Sequence, residues 1–277
     1  MKRLVMKLPL LGVLGVLMLA AAAPLWAQDK PNAMGISFHH LSFEVPDYDA
    51  NIDFWKKFGG VQQIMQGRGR FSVFHFTGED VVIGVMENTA NSGGSVGSVG
   101  SVIDHFGFQV PDVAAAVARW KAAGLRVEPG QNAQQAYVYT PDNVKIEILE
   151  NASLKVPLKP HHVHFFTAAP SQTRAWYVKM FGGVPGQRAI FEVADVPDMD
   201  LAFSQASGAV VPTKGRALDH IGFAVTNLQD TQRRLKANGV HFEAPLRGGA
   251  GPGAARIAMF VDPWGTRVEL IQLPAGG

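Results

Sequence analysis

The chain has 277 residues, 47% hydrophobic and 17% charged, so it has enough apolar side chains for a packed core and is not a disordered protein. Its formal net charge is only +2 and it has no long basic run, which argues against nucleic acid or an acidic membrane surface as a partner. It contains no cysteine, so it has no disulfide and no lipid-attachment site. A chain of this length forms one large domain or two ordinary ones.

The first 27 residues have the pattern of a secretion signal. Basic residues precede the apolar run Leu8–Ala23, which ends in four alanines, and a further small residue follows at Ala27. The run ends at Pro24 and is shorter than the ~20 residues of a membrane-spanning helix, which disfavours the alternative of a membrane anchor. We therefore expect residues 1–27 to be a signal peptide that is cleaved after Ala27, with cleavage after Ala23 as the alternative. The mature protein is then periplasmic or secreted, with no membrane partner.

Four segments of the chain share one order: a histidine opens a short apolar strand, a helix follows, and a glycine ends the helix. The histidine and glycine pairs are His40 and Gly59, His105 and Gly124, His162 and Gly182, and His220 and Gly239. The two residues are 19 positions apart in three copies and 20 apart in the third copy. Such regular self-similarity indicates structural repeats.

Each repeat continues with further strand and turn signals, so we predict four modules of one strand, a helix and three strands. In chain order they are module 1 (Ile36–Glu87), module 2 (Val102–Glu150), module 3 (from His161) and module 4 (from Leu218). This is an α+β fold class of four βαβββ modules, in which each module needs a neighbour to close its core.

We expect the modules to pair along the chain into two domains. The predicted boundaries are 36–150 for the N-terminal domain (modules 1 and 2), 151–160 for a linker, and 161–273 for the C-terminal domain (modules 3 and 4).

The strand histidines lie on faces that leave room for a ligand. Alternate residues of a strand share one face, so His220 lies beside Gly222 and His105 beside Gly107. A lone strand histidine is more often a hydrogen-bonded core residue than a ligand. The recurrence of the pattern favours a functional role.

Two late strands each carry a carboxylate within an apolar run, Glu147 and Glu269. Burying a carboxylate is costly unless it is paired or bound to a metal. Each predicted domain thus offers two histidines and one glutamate, which are His40, His105 and Glu147, and His162, His220 and Glu269. Two imidazoles and one carboxylate leave open positions on a divalent metal such as Fe2+, Mn2+ or Zn2+, so we predict a metal in at least one half.

The chain resembles the vicinal oxygen chelate superfamily, which includes glyoxalase I, extradiol ring-cleaving dioxygenases, fosfomycin-resistance thiol transferases and bleomycin-binding proteins. The resemblance covers about residues 36–273 and depends on the four strand histidines, on Glu147 and Glu269, and on the ending Asp262-Pro263-Trp264-Gly265. It implies paired βαβββ modules around a metal-centred cavity, a divalent metal cofactor and a small-molecule substrate.

Individual positions favour some activities of this superfamily over others. Glyoxalase I implies a fourth ligand from each pair of modules, and Gly84 and Ala202 stand at the corresponding places here. The remaining His, His, Glu sets resemble those of dioxygenases and thiol transferases.

Two further residues are candidates for catalysis. Tyr137, ten residues before Glu147, matches an acid–base tyrosine of ring-cleaving dioxygenases or is a buried aromatic residue. His164 shares a strand face with His162 and is an extra ligand, a proton shuttle or a solvent-facing residue.

We therefore expect an exported metalloenzyme whose small substrate chelates the metal through adjacent oxygens, with dioxygenase-like chemistry slightly preferred. The alternatives are a glyoxalase-type lyase or isomerase, and a protein that binds a small molecule without turnover. An enzyme with one working half and one structural half is a third possibility.

Overall fold

The computed structural model describes residues 31–65, 69–78, 81–88, 97–243, 247–248 and 255–274. The predicted signal peptide, residues 1–27, lies outside these residues, so its cleavage and the exported location stay predictions. Across the described part of the chain, every helix is too short or too polar to cross a membrane.

Each module has its helix after the first strand and three further strands after the helix. Module 1 consists of β1 (Ile36–Val45), α1 (Tyr48–Phe58), β2 (Val61–Ile64), β3 (Phe71–His75) and β4 (Val82–Glu87). Module 2 consists of β5 (Ile103–Val110), α2 (Val113–Ala122), β6 (Arg126–Pro129), β7 (Gln135–Tyr139) and β8 (Lys145–Glu150). Module 3 consists of β9 (Lys159–Thr167), α3 (Pro170–Phe181), β10 (Val184–Arg188), β11 (Phe191–Val196) and β12 (Met199–Gln205). Module 4 consists of β13 (Leu218–Val225), α4 (Leu228–Ala237), β14 (Arg247–Gly248), β15 (Arg256–Val261) and β16 (Arg267–Gln272). The predicted α+β class with four βαβββ modules is confirmed.

The helix boundaries follow from local sequence signals. Asp47 and Asp112 each accept a hydrogen bond from a backbone N–H of the first helical turn, at the start of α1 and α2. Helix α3 ends at Gly182, whose φ of 68° is the left-handed conformation that glycine adopts without strain. The other three predicted stop glycines also have positive φ.

Within the described residues the strands form two eight-stranded sheets, and each sheet is shared between the two halves of the chain. The first sheet has the order β14-β15-β16-β13-β1-β4-β3-β2, and the second has the order β10-β11-β12-β9-β5-β8-β7-β6. The first strands of two modules meet in antiparallel pairing at the middle of each sheet, β1 with β13 and β5 with β9. Module 1 therefore shares a sheet with module 4, and module 2 with module 3.

This pairing corrects one expectation. We expected modules 1 and 2 to build one site and modules 3 and 4 the other, and that grouping is wrong. The four first strands carry the same apolar pattern, so their sequences do not determine which two of them become neighbours in a sheet.

Modules 1 and 2 pack face to face instead, and so do modules 3 and 4. Phe58 of α1 stacks on Trp120 of α2 with ring centroids 4.9 Å apart, and the Trp120 indole N–H donates to the Phe58 carbonyl. In the other half, Phe181 of α3 packs against Phe223 of β13, with their ring centroids 4.3 Å apart. Each half of the chain thus contributes a packed aromatic layer between the two sheets, while the sheets join the halves.

Candidate metal centres

The first candidate centre lies where β1, β13 and β16 are neighbours, and we call its residues His40, His220 and Glu269 the Glu269 centre. His40 lies opposite Gly222 across the β1–β13 pair, and Glu269 lies beside Gly222 across the β13–β16 pair. A Cβ at position 222 would lie 2.0 Å from His40 Cε1. The glycine therefore provides the space in which the imidazole of another module sits.

The three side chains of the Glu269 centre converge in a buried place. His40 Nε2 lies 3.7 Å from Glu269 Oε1, and His220 Nε2 lies 3.5 Å from Glu269 Oε2. These separations are longer than a normal hydrogen bond. They suit neighbouring ligands of one ion, since metal–nitrogen and metal–oxygen distances of about 2.0–2.2 Å place two ligands roughly 3–4 Å apart.

The second candidate centre has the same construction between β5, β8 and β9, and we call His105, His162 and Glu147 the Glu147 centre. Glu147 Oε2 lies 3.3 Å from His105 Nε2 and 3.0 Å from His162 Nε2. A Cβ at Gly107 would lie 2.2 Å from His162 Cε1, so this glycine has the same role as its counterpart in the first centre.

The structure brings all six predicted metal ligands into two buried clusters, but not in the predicted sets. We expected His40 to join His105 and Glu147, and His162 to join His220 and Glu269. That grouping is wrong, because the central strand pairs join the two halves of the chain. As a result, His40 and His162 are exchanged between the two centres. Each centre takes one histidine from one half, and takes its other histidine and its glutamate from the other half.

Four residues that hold the imidazoles were missed by the sequence reasoning. Asp104 and Asp219 accept a hydrogen bond from Nδ1 of the histidine that follows each of them, both at 2.7 Å. His39 and His161 each lie with Nδ1 2.8 Å from Nδ1 of the next histidine. All four contacts occupy Nδ1 and leave Nε2 for the centre, which is how outer partners orient metal-bound histidines.

The strand pairing explains why neighbouring residues reach the same centre. The ladders shift register at His39 and Asp219 in one sheet and at Asp104 and His161 in the other. A β-bulge places two residues opposite one, so consecutive side chains no longer point to opposite faces. The repeated dipeptides His-His and Asp-His were the only signal in the sequence, and strict alternation hides their role.

Charges in the Glu269 centre suit a cation. Burial lowers the pKa of His220, but the hydrogen bond with Asp219 and the negative charge of Glu269 outweigh burial and raise it to about 9. Burial lowers the pKa of His40 to about 3, so this ring is neutral and keeps a nitrogen lone pair. A divalent ion that displaced the proton of His220 would compensate both carboxylates.

The Glu147 centre has the same electrostatic pattern. Burial lowers the pKa of His105, yet Asp104 and Glu147 outweigh it and the net pKa is raised, whereas burial lowers the pKa of His162. Burial raises the pKa of Glu147, but hydrogen bonds from both histidines lower it overall, so the carboxylate is ionised. The burial of the donor atoms and these charges fit a divalent metal in each centre. The ligand atoms of His40, His220 and Glu269 lie close enough to share an ion in the first centre, as do those of His105, His162 and His164 at the second.

The remaining sequence candidates lie near these centres. Gly84 pairs with Ser42 and Ala202 pairs with His164, so neither offers a fourth ligand. Tyr137 lies directly across from Glu147 in the β7–β8 pair and is partly buried. Its catalytic role stays a prediction.

His164 is only 4% exposed, so the interpretation of this residue as solvent-facing is wrong. Its Nδ1 lies 3.2 Å from His105 Nε2, and its Nε2 lies 2.8 Å from Ser204 Oγ.

Comparisons with known proteins agree with this architecture. Residues 39–140 and residues 159–270 each match a family model described as the Glyoxalase/Bleomycin resistance protein/Dioxygenase superfamily. No curated protein gave a significant match to the sequence.

Similar solved structures cover both halves of the chain. A mutant glyoxalase I from Zea mays is 19% identical, with 86% of this chain and 92% of that chain covered at a TM-score of 0.68. The unmutated Zea mays enzyme is 19% identical, with coverage of 86% and 92% and a TM-score of 0.67. A protein named as a candidate dioxygenase from Bacillus subtilis is 18% identical, with coverage of 87% and 86% and a TM-score of 0.65. At these identities the likeness is one of fold.

The two family matches together span well over half of the chain and agree with its four modules and two shared sheets. The chain therefore belongs to the glyoxalase, bleomycin resistance protein and dioxygenase superfamily, and it carries two domains of that superfamily in tandem.

Proposed function

We propose that this chain is a metal-dependent enzyme whose small substrate binds a divalent ion through two adjacent oxygens, with dioxygenase-like chemistry preferred over glyoxalase-type lyase or isomerase chemistry. The observation that supports this most directly is the convergence of two imidazoles and one carboxylate in each buried centre. Gly84 and Ala202 supply no fourth ligand, so positions on the ion stay open for substrate and a second reactant. We also propose, from the N-terminal sequence alone, that the mature enzyme is exported.

A bound Fe2+, Mn2+ or Zn2+ ion would act as a Lewis acid on the substrate oxygens. The protein's own part is to hold and orient the donors. His40, His220 and Glu269 present Nε2 and carboxylate oxygens to one point, and Asp219 fixes the ring of His220 through Nδ1. Their burial excludes bulk water, which strengthens each electrostatic contact in the centre.

Tyr137 is our candidate proton donor at the Glu147 centre. Burial, followed by the negative charge of Glu147, raises the pKa of its hydroxyl, so the group keeps its proton at neutral pH. A protonated hydroxyl suits a general acid better than a general base. Lys145 Nζ lies 4.6 Å from the centre of the Tyr137 ring, which places a positive charge beside this side chain.

The proposal is tested by elemental analysis of the purified chain, followed by oxygen uptake with catechols and by turnover of 2-oxo aldehydes. We expect bound divalent metal, loss of one ion per chain in His40→Ala and in His162→Ala, and oxygen uptake that depends on the metal.

Turnover of 2-oxo aldehydes without oxygen uptake would indicate the lyase or isomerase alternative. Two results together would refute the proposal of a metal-dependent enzyme and indicate a binding protein. The folded chain would bind no Fe2+, Mn2+ or Zn2+, and the unmodified chain and the His220→Ala variant would bind catechol with equal affinity.

A further inference from the structure

The two centres are equivalent by strand register but differ at one position. His40 and His162 occupy the same place, since each lies opposite a glycine of the partner strand, Gly222 or Gly107. Two residues further along, Ser42 lies opposite His220 in the first centre, and His164 lies opposite His105 in the second. A buried hydroxyl in one centre thus corresponds to a buried imidazole in the other.

The ring of His164 is held in one orientation. Its Nε2 lies 2.8 Å from Ser204 Oγ, and the ring contacts Phe191 and Phe166 at centroid distances of 4.8 and 4.9 Å. The opposite ring nitrogen, Nδ1, lies 3.2 Å from His105 Nε2, inside the centre. One nitrogen therefore has an outer polar partner and the other faces the inner ligand atoms. His105 has this same arrangement, with Asp104 as its outer partner.

We propose that His164 is a fourth protein ligand of the Glu147 centre through Nδ1, and that this centre binds a nitrogen-preferring divalent ion more tightly than the Glu269 centre does. The proposal rests on the metal-binding role proposed above. The ring nitrogens of His105, His162 and His164 all lie within 4.8 Å of one another, as the ligands of one ion do. Glu147 Oε2, which lies 3.3 Å from His105 Nε2 and 3.0 Å from His162 Nε2, would complete a set of three nitrogens and one oxygen, and such a nitrogen-rich set favours zinc or cobalt(II) over magnesium or calcium.

A fourth protein ligand has a chemical consequence for this centre. It leaves the Glu147 ion one open position fewer than the Glu269 ion, where Ser42 supplies no imidazole. The two centres would therefore differ in metal affinity and in the number of outside ligands that they accept.

Cobalt(II) binding separates the two centres when one is disabled at a time. In the His220→Ala background only the Glu147 centre keeps its ligands, and in the His105→Ala background only the Glu269 centre does. Proton NMR of the cobalt(II) protein in water shows one paramagnetically shifted, exchangeable imidazole N–H signal for each bound histidine. We expect three such signals in His220→Ala and two in His105→Ala, with cobalt(II) bound more tightly in His220→Ala.

The decisive variants remove or replace the His164 ring in the His220→Ala background. His164→Ser copies the residue of the other centre, and His164→Asn keeps a hydrogen-bonding group near the Nδ1 position. Both should lose one shifted signal and weaken cobalt(II) binding by more than the 10- to 100-fold typical of residues that only orient a ligand. Ser204→Ala is the matched control. It should keep three signals and lose at most about 100-fold in affinity.

The outcomes are distinct from failure of the proposed function. If neither background binds cobalt(II), the metal-binding proposal fails as a whole. If both bind it, but His220→Ala shows two signals or His164→Asn binds as tightly as its parent, then His164 is only a hydrogen-bond partner of His105. Circular dichroism confirms folding of each variant, and His164→Asn decides the question if His164→Ser does not fold.

Discussion

Gly222 and Gly107 are the residues on which both centres depend sterically, because each accepts an imidazole from the neighbouring strand directly above its backbone. We predict that Gly222→Ala displaces His40, since the new Cβ would lie 2.0 Å from His40 Cε1. Crowding of this kind costs about 1–3 kcal/mol of folding free energy. Metal analysis should show one ion fewer per chain, and the chain should unfold at a lower temperature.

The glycine series has a matched pair and a control. Gly107→Ala should have the same effect at the other centre, through His162. Gly208→Ala introduces a Cβ with no atom within 4 Å and should change neither metal content nor stability. Unaltered metal content in both Gly222→Ala and Gly107→Ala would show that the imidazole positions tolerate displacement and do not define the centres.

The aspartate that precedes a ligand histidine offers a second test at this scale. Asp104 accepts the hydrogen bond from His105 Nδ1, so Asp104→Asn weakens the hold on the ring and lowers the basicity of Nε2. We expect a roughly 10- to 100-fold loss of metal affinity at the Glu147 centre, measured by calorimetric titration of the apoprotein in the His220→Ala background.

Asp53→Asn is the control for this aspartate. Asp53 is exposed, pairs with Lys57 on the surface of α1 and lies in no centre, so its replacement should leave affinity unchanged. Equal affinities for Asp104→Asn and Asp53→Asn would contradict an orienting role for Asp104.

Strand alternation was sufficient to predict which histidines face the candidate centres, but not which residues orient those histidines. The faces shared by His220 and Gly222, and by His105 and Gly107, follow from the period of two along a strand. Asp104 and His161 reach the centre only because the ladder is bulged at these residues. A bulge depends on how two distant strands meet, so a single strand sequence does not reveal it.

At the scale of elements, the first helix of each half is tied to the next module by a buried hydrogen bond. Tyr177 of α3 donates to Asp262 in the β15–β16 turn at 2.8 Å, and Asn51 of α1 donates to Asp142 in the β7–β8 turn at 2.6 Å. The two contacts occupy equivalent places in the two halves. Because hydrogen bonds are directional, these contacts set the relative position of two packed modules. Aromatic packing alone constrains this position less.

We predict that Tyr177→Phe destabilises the chain without loss of metal. The variant keeps the aromatic ring but removes a donor from the buried Asp262 carboxylate, a loss of about 1–3 kcal/mol. Urea unfolding should show a lower midpoint with unchanged slope. Tyr139→Phe, on a partly exposed strand residue, should cost about 0.5 kcal/mol or less. If both variants unfold alike, the Tyr177–Asp262 bond does not stabilise the fold.

At the scale of the whole molecule, the modules contact one another in two ways that the sequence does not distinguish: two modules share a sheet, or they pack face to face. Repeat spacing and apolar periodicity were enough to predict four modules and their α+β class. The choice of neighbours depends on long-range contacts: helices α1 and α2 stack modules 1 and 2 face to face, so the first strands of these modules find partners in the other half. The predicted sets of His40 with Glu147, and of His162 with Glu269, failed for this reason.

Because each centre draws histidines from both halves, cutting the connection between the halves tests the architecture directly. Ala152 and Ser153 are exposed between β8 and β9, so a protease site inserted there can be cleaved in the folded protein. We expect the two fragments to stay together in size-exclusion chromatography and to keep their metal, since the β1–β13 and β5–β9 pairs still join them. Denaturant that separates the fragments should release both ions together. The contrary result is that the fragments separate without denaturant and each keeps an ion as a monomer. Each half would then contain a complete centre, and the shared sheets would not be the arrangement in solution.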